Sequence, residues 1–517
     1  MQHYFSKSLL FGAVILASIH SIAWAANPVA TTAEGQVVGK MKSGIAVYRG
    51  IPYAQAPVGD LRWHAPLPHA KWATQLDAFK DGSECLQPKN VGKPAVTGSE
   101  DCLTLNVWAT TLAKTPEPVM VFIHGGFYVE GASDQAEAGL FHIQDGQGLA
   151  AQGQMVVVSF NYRLGPLGFL AAPPLDDGSP ESQSGNFGLM DQIAALKWVQ
   201  ENIAAFGGDP SRVTVFGQSA GASSVLTLLA SPMTEGLFSQ AIVESGYLKA
   251  IPRAQAFDMS SKLLQASGCV TAQCLRALSG EQVLSAVPSS AREGSEGLFV
   301  PNQDGFIIPE PLDQAYALGH VRKIPVIMGT NTDEAATLAT SLYGPAIKTE
   351  AEFATTITQS YGDAIWEKAK PVYDIASYGT PQNRLIQLAT DAIFTCPIST
   401  LTRQISPHAP TWRYVFNHHV HFPFLSKLGA FHGVELVYVF GSVPKLLELD
   451  PSERHMSTTM RNYWASFARN GDPNVVGEPT WPGFQASDQS SLEITEAGSG
   501  ISVVRDFRGE QCTALGL

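Results

Sequence analysis

Ser219 sits in Gly217-Gln218-Ser219-Ala220-Gly221, a spacing that can present a serine hydroxyl as a nucleophile. A serine hydroxyl is a poor nucleophile until a base removes its proton, and that base must be oriented by a carboxylate. The bare pattern G-x-S-x-G is common and says little alone. Here it follows a strand-like run, Arg212 to Phe216, and precedes an apolar helical run, Ala222 to Leu229. Strand, sharp turn and helix are the context the mechanics require. The turn strains the serine backbone, so the residues two before and two after must be small. Gly217 and Gly221 meet that demand. The helix start then aims backbone N–H groups and a positive dipole end at any oxyanion formed there.

In such an arrangement the acid and the base follow the serine in chain order. The apolar run Ile324 to Met328 leads into Gly329-Thr330-Asn331-Thr332-Asp333-Glu334, and a loop after a strand is where an acid belongs. Asp333 and Glu334 both qualify by position, and the residues alone leave the choice open. His432 lies between Gly429 and Gly433, in a loop tight enough to aim an imidazole. His418, His419 and His421 form a denser cluster nearby, but no second group of ligands has zinc-like spacing. A half-buried strand with alternating histidines is expected there, and no metal or cofactor.

The elements that must hold these residues read as α/β. Pro118 to Ile123, Met155 to Phe160, Arg212 to Phe216, Gln240 to Glu244 and Ile324 to Met328 are continuous apolar or β-branched runs. Runs of that kind belong to sheets covered on both faces. Between them, Leu189, Ile193, Leu196, Val199 and Ile203 repeat at helical spacing over Gly188 to Phe206. A mostly parallel central sheet with helices on both faces follows. Leu86 to Ser99 and Ala171 to Phe187 read as surface excursions, and Glu281 to Thr411 as a mainly helical side lobe.

The segment Phe206-Gly207-Gly208-Asp209-Pro210-Ser211-Arg212-Val213-Thr214-Val215-Phe216-Gly217-Gln218-Ser219-Ala220-Gly221 resembles the serine signature of the type-B carboxylesterase family, which includes the cholinesterases. Glu100 to Trp108 is similar to that family's second signature. Asn161 to Gly165, Gly329 to Glu334, Gly429 to Gly441 and Tyr463 to Asn474 also read as family segments, so the likeness runs from about Gly35 to the C-terminus.

The resemblance implies an α/β-hydrolase fold and a serine esterase that works through an acyl-enzyme. It selects Glu334 over Asp333 as the acid, matches His432 to the base, and makes Ser245 a supporting partner of the acid. His124-Gly125-Gly126-Phe127-Tyr128 falls where the fold places its other oxyanion donors. Gly126, Phe127 and Ala220 are the expected donors, with Gly125 allowing close approach. The family usually has glycine or a small residue where Phe127 stands. That amide can serve if its backbone is ordinary, and the ring is expected against the acyl or alcohol pocket. Gln218, where the family often has Glu, and Ala335, where it often has Gly, are expected to stay out of the chemistry. The implied disulfides are Cys85–Cys102, Cys269–Cys274 and Cys396–Cys512. The loop Leu86 to Asp101 carries no aromatic residue to hold a quaternary ammonium, which disfavours choline esters. An amidase or peptidase on the same triad is the alternative. A non-catalytic adhesion relative is a weaker one, because relatives of that kind lose triad members.

Composition is that of a globular chain. Of 517 residues, 45% are hydrophobic and 15% charged, too apolar for a disordered chain. A net charge of −13 without basic runs argues against nucleic acid as a partner. Residues 1–25 read as a signal peptide, with Lys7, the apolar Leu9 to Ile19, and Ala23-Trp24-Ala25 before the cut. Residues 26–517 then form one hydrolase domain, secreted or periplasmic, without stable membrane insertion. Six cysteines suit that oxidising destination.

Overall fold

The computed structural model describes residues 27–88, 96–110, 115–133, 144–176, 178–179, 183–287, 299–421, 425–442, 449–495 and 500–517. The first 26 residues, with the expected signal peptide, lie outside the described residues.

One 11-stranded sheet organises the chain. Its strands are β1 (Lys40–Lys42), β2 (Ile45–Pro52), β3 (Thr104–Thr110), β4 (Glu117–Ile123), β5 (Val156–Phe160) and β6 (Gly208–Gln218). They continue with β7 (Gln240–Glu244), β8 (Val326–Asn331), β9 (Thr411–Phe416), β10 (Ser491–Ile494) and β11 (Ile501–Val504). The spatial order is β1-β2-β3-β5-β4-β6-β7-β8-β9-β10-β11. Every pairing from β5 across to β10 is parallel. Both margins are antiparallel.

The buried strands lack polar alternation because both faces are covered. In β4, Val119, Val121 and Ile123 enter one hydrophobic core while Met120 and Phe122 enter the other. Helix α1 (Phe187–Asn202) brings Leu189, Ile193, Leu196 and Val199 to the first core. Helix α2 (Ala220–Ala230) follows Ser219 directly. Two further helices, α3 (Pro381–Thr390) and α4 (Cys396–Ile405), are joined by a π-helical turn at Asp391–Thr395. This stretch, Pro381–Ile405, has the length and apolarity of a membrane span, but 67% of its apolar window is buried inside the fold. Helix α5 (Pro451–Asn470) packs Met456, Met460, Tyr463, Trp464 and Phe467 into the second core. Asp450 caps it in a capping box with Glu453, and Gly471 ends it at φ 70°. A satellite core of Phe353, Ile357, Tyr373, Leu385 and Leu388 lies around Cys396 and Cys512 in the helical side lobe.

Two strands run further than their sequence suggests. β8 continues through Gly329-Thr330-Asn331, paired in register with Tyr414-Val415-Phe416 of β9. Gly329 resembles a turn residue, yet a Cβ there would lie 2.1 Å from the Tyr414 ring, so glycine admits the ring. β6 likewise starts at Gly208 and runs to Gln218.

The sheet order also locates the site. The chain steps from β4 to β5 on one side, then returns across β4 to reach β6 on the other. Ligands of open α/β sheets bind at such a reversal, beyond the carboxyl ends of the strands. The strand ends meeting there are Ile123 and Gly217, which are register partners.

Candidate active site

Ser219 occupies the turn between β6 and α2 with φ 57° and ψ −123°. That left-handed φ is costly for a residue with a side chain. Two bonds hold it: the Ser219 N–H donates to Glu244 O at 3.0 Å, and the Ser223 N–H donates to Ser219 O at 2.9 Å. A Cβ on Gly217 would come within 2.6 Å of the Gly221 backbone, and one on Gly221 within 2.0 Å of Ile123 O. Both glycines are therefore needed for steric reasons. Ala220 is the first residue of α2, so its N–H has no acceptor within the helix.

Beside it, the loop after β4 makes a tight turn. Gly126 O accepts from the N–H groups of Val129 at 2.9 Å and Glu130 at 3.0 Å. Gly126 has φ 106°, and a Cβ on it would lie 2.1 Å from Glu130 O. Phe127 and Tyr128 follow at φ 56° and 64°. The condition set for Phe127, an ordinary backbone, is not met: the turn drives two successive side-chain-bearing residues into the left-handed region. Tyr128 is anchored by burial, by Ser224 Oγ donating to its hydroxyl at 3.3 Å, and by an edge contact with Phe169. His124, at the head of the loop, stacks on Tyr162 with ring centroids 4.3 Å apart. Its burial pushes the imidazole pKa down to about 4.

Across the crevice, His432 Nδ1 lies 2.6 Å from Glu334 Oε2, with the imidazole largely buried and the carboxylate fully so. Glu334 Oε1 accepts the Asn331 N–H at 2.7 Å. The Asn331 side-chain amide donates to Phe431 O at 2.9 Å and also to Glu435 Oε2. Asp333 turns elsewhere. Its Oδ2 accepts from the Ala430 N–H at 3.0 Å and its Oδ1 from Gln387 Nε2 at 2.8 Å. The carboxylate bonded to His432 is thus that of Glu334. Phe394, in the π-helical turn, sets its ring 4.9 Å from the His432 ring, and Tyr247 meets Phe394 edge-on at 5.8 Å. Thr390 Oγ1 accepts the N–H of Ala335, the residue after Glu334, at 3.1 Å.

Several expectations need correction or addition. Gln218 does reach the site: its Nε2 lies 3.3 Å from His432 Nε2, because the end of β6 points the residue before Ser219 at the imidazole. Ser245, with φ 56°, gives its N–H to Gly329 O at 2.9 Å, while its buried Oγ has no hydrogen-bond partner among the described residues. Its expected hydroxyl contact with the acid is absent from the bonds of Glu334. Glu435, three residues after His432, is a second buried carboxyl in the same cluster. Burial and the charge of Glu334 push its pKa up. Sequence gave no cue for it beyond its place beside the histidine.

His418, His419 and His421 lie beyond β9 rather than in a strand, because pairing with β8 and β10 ends at Phe416. His418 pairs with Glu453 at 3.0 Å and His421 with Asp450 at 2.8 Å. Ligand atoms of His421, Asp450 and Glu453 do gather within 4.8 Å, a grouping that sequence spacing did not suggest. The carboxylates there are already engaged in capping α5. The six cysteines pair as Cys85–Cys102, Cys269–Cys274 and Cys396–Cys512, in agreement with the resemblance. The first closes a separation of 17 residues, worth ~3 kcal/mol in the chain-entropy picture.

Sheet order, the strained strand-to-helix turn at Ser219 and the histidine–carboxylate pair together define an α/β-hydrolase. The carboxylesterase family model matches residues 26–514, and the chain belongs to that family of carboxylic ester hydrolases. It is 36% identical to the para-nitrobenzyl esterase of Bacillus subtilis (strain 168) over 500 residues, 94% of this chain and 98% of that protein. It is also 36% identical to the fumonisin B1 esterase of Sphingopyxis macrogoltabida over 487 residues, 91% of this chain and 87% of that one. A solved structure of a thermophilic PNB esterase superposes with TM-score 0.81 at 34% identity, covering 95% of this chain and 100% of that one. A Geobacillus stearothermophilus carboxylesterase gives TM-score 0.82 at 29% identity, covering 94% of this chain and 99% of that one.

Proposed function

We propose that Ser219, His432 and Glu334 act as one triad that hydrolyses small carboxylic esters through an acyl-enzyme. The observation that carries this is the 2.6 Å contact of His432 Nδ1 with Glu334 Oε2. It leaves Nε2 as the basic nitrogen, on the side of the ring where Gln218, the neighbour of Ser219, is found. Glu334 fixes the tautomer and stabilises the imidazolium as it forms. Ser219 Oγ attacks the ester carbonyl while its proton passes to Nε2. The amides of Gly126 and Ala220 receive the oxyanion, joined by that of Phe127 despite its left-handed φ, with Gly125 leaving room, and each donor is worth ~2.7–4 kcal/mol in the transition state. The same proton then goes to the departing alcohol. Water repeats the sequence to release the acid.

The substrate proposed is an uncharged ester without a choline group, since the loop from Leu86 to Asp101 has no aromatic residue. The relatives hydrolyse the para-nitrobenzyl and fumonisin B1 esters in their names. We also propose export through residues 1–25, a reading supported by the absence of free cysteines among the described residues. The test is turnover of matched p-nitrophenyl, aryl and choline esters, and of an amide sharing the acyl group of one of them. Hydrolysis of the uncharged esters well above both the choline ester and the amide is expected. Preference for the amide would make this a peptidase-type enzyme.

A further inference from the structure

Gln218 is the last residue of β6 and is fully buried. Its Nε2 lies 3.3 Å from His432 Nε2, while its Oε1 is buried with no hydrogen-bond partner among the described residues. Which end of the amide faces the ring follows from the other ring nitrogen. Nδ1 must carry the proton that binds the Glu334 carboxylate at 2.6 Å, so Nε2 offers a lone pair and only a donor can meet it. The amide N–H therefore points at the ring, and the carbonyl is left without a partner.

We infer that Gln218 is a positioning residue: it donates to the Nε2 lone pair of His432 and thereby holds the resting imidazole neutral and in plane for Ser219. The inference rests on the triad proposed above. In the resting enzyme the Gln218 N–H thus occupies the lone pair that, in the proposed triad, receives the Ser219 proton. When the serine proton moves to Nε2, the nitrogen becomes a donor and the Gln218 N–H opposes it. A half-turn of the amide replaces that N–H by the idle Oε1, which accepts from the imidazolium. A single neutral side chain can thus serve both states of the base. Glutamate at this position can serve only the charged one.

The charged and titratable surroundings of the ring make this specific. From the loop after β8 comes Glu334, the direct partner, and from the histidine's own loop comes Glu435. The π-helical turn presents apolar Phe394. β6 presents Gln218, the polar neutral group at Nε2. A carboxylate at 218 would stand within about 4 Å of the imidazolium, a distance at which an opposite charge moves a pKa by about 1–3 units.

The experiment is the pH profile of kcat/KM with p-nitrophenyl acetate for the parent enzyme, Gln218→Glu and Gln218→Met, with fluorophosphonate labelling and thermal melting of each. In Gln218→Glu the acidic limb is expected to rise by one unit or more, because the added charge holds the proton on His432. In Gln218→Met, which removes the donor without adding charge, a smaller rise in the same direction is expected. An acidic limb in a folded Gln218→Met that coincides with the parent's would overturn the inference while leaving the triad intact, whatever the limb of Gln218→Glu does. Should Gln218→Met fail to fold, an unmoved limb in Gln218→Glu would overturn it, since the contact with Nε2 would then not exist. A parent enzyme with no acidic limb and no labelling at Ser219 would bring down the triad and this inference with it.

Discussion

The Asn331 N–H donates at 2.7 Å to Glu334 Oε1, the carboxylate oxygen that His432 does not use. The same residue's side chain reaches across to Phe431 O at 2.9 Å and to Glu435. One asparagine at the end of β8 thus ties the acid loop to the histidine loop. Replacing it with alanine keeps the backbone bond but leaves the Phe431 carbonyl and a Glu435 oxygen without their donor. Each unmade buried bond costs about 1–3 kcal/mol. With two such bonds lost, Asn331→Ala is expected to lower unfolding stability by about 2–6 kcal/mol. It should also reduce kcat at least tenfold as the base loses its register. Urea titration and steady-state kinetics measure both.

The acid can be told from its neighbour directly. Glu334→Gln keeps the volume but cannot stabilise the imidazolium, so a fall in kcat of about 10³-fold or more is expected, in the range of acid removal from a triad. Asp333→Asn should cost less than tenfold, since Asp333 serves the Ala430 N–H and Gln387 instead. A reversed ranking would exchange their roles.

His124 gives the protein an acid sensitivity apart from catalysis. Its folded pKa is about 4 against an ordinary 6.5. Between those values the unfolded chain binds a proton that the folded one does not, so stability falls as pH drops from about 6.5 to about 4. The full loss is roughly 3 kcal/mol, complete below the folded value. In His124→Gln the unfolding free energy should change less between pH 7 and pH 4 by about that amount. Equal slopes in the two proteins would show that His124 titrates normally.

Phe127 tests whether the oxyanion loop works through its backbone. Glycine there relieves a left-handed φ, a gain of about 1–2 kcal/mol, against an entropic cost of about 0.5–1 kcal/mol. Phe127→Gly is therefore expected to melt close to the parent and to keep kcat on a small acetate ester within about tenfold, since the amide remains. A loss beyond a hundredfold would assign the ring itself to the reaction.

Much of this was legible in the chain. The central strands announced themselves because burial on both faces removes polar alternation, as in Val156 to Phe160. Gly217 and Gly221 marked the sharp turn at Ser219 because no Cβ fits at either. The choice of Glu334 over Asp333 came from family likeness, since a loop after a strand positions two adjacent acids equally well. Less visible were partners whose relevance depends on non-local packing. Gln218 reads as the variable residue of the turn at Ser219 until His432 arrives from 214 residues away. Phe394 meets the imidazole through an irregular helical turn that no periodicity reveals. Phe127 stood out as a departure from the family pattern, but its φ was not legible because nothing in its neighbours dictates it until the turn closes on Glu130.

The most direct measurement is the site of covalent capture by a fluorophosphonate, mapped by peptide mass spectrometry in the parent enzyme and in Ser219→Ala. Phosphonylation at Ser219 alone is expected, with neither labelling nor ester turnover in a folded Ser219→Ala. Label on another residue, or turnover that survives the substitution, would contradict it.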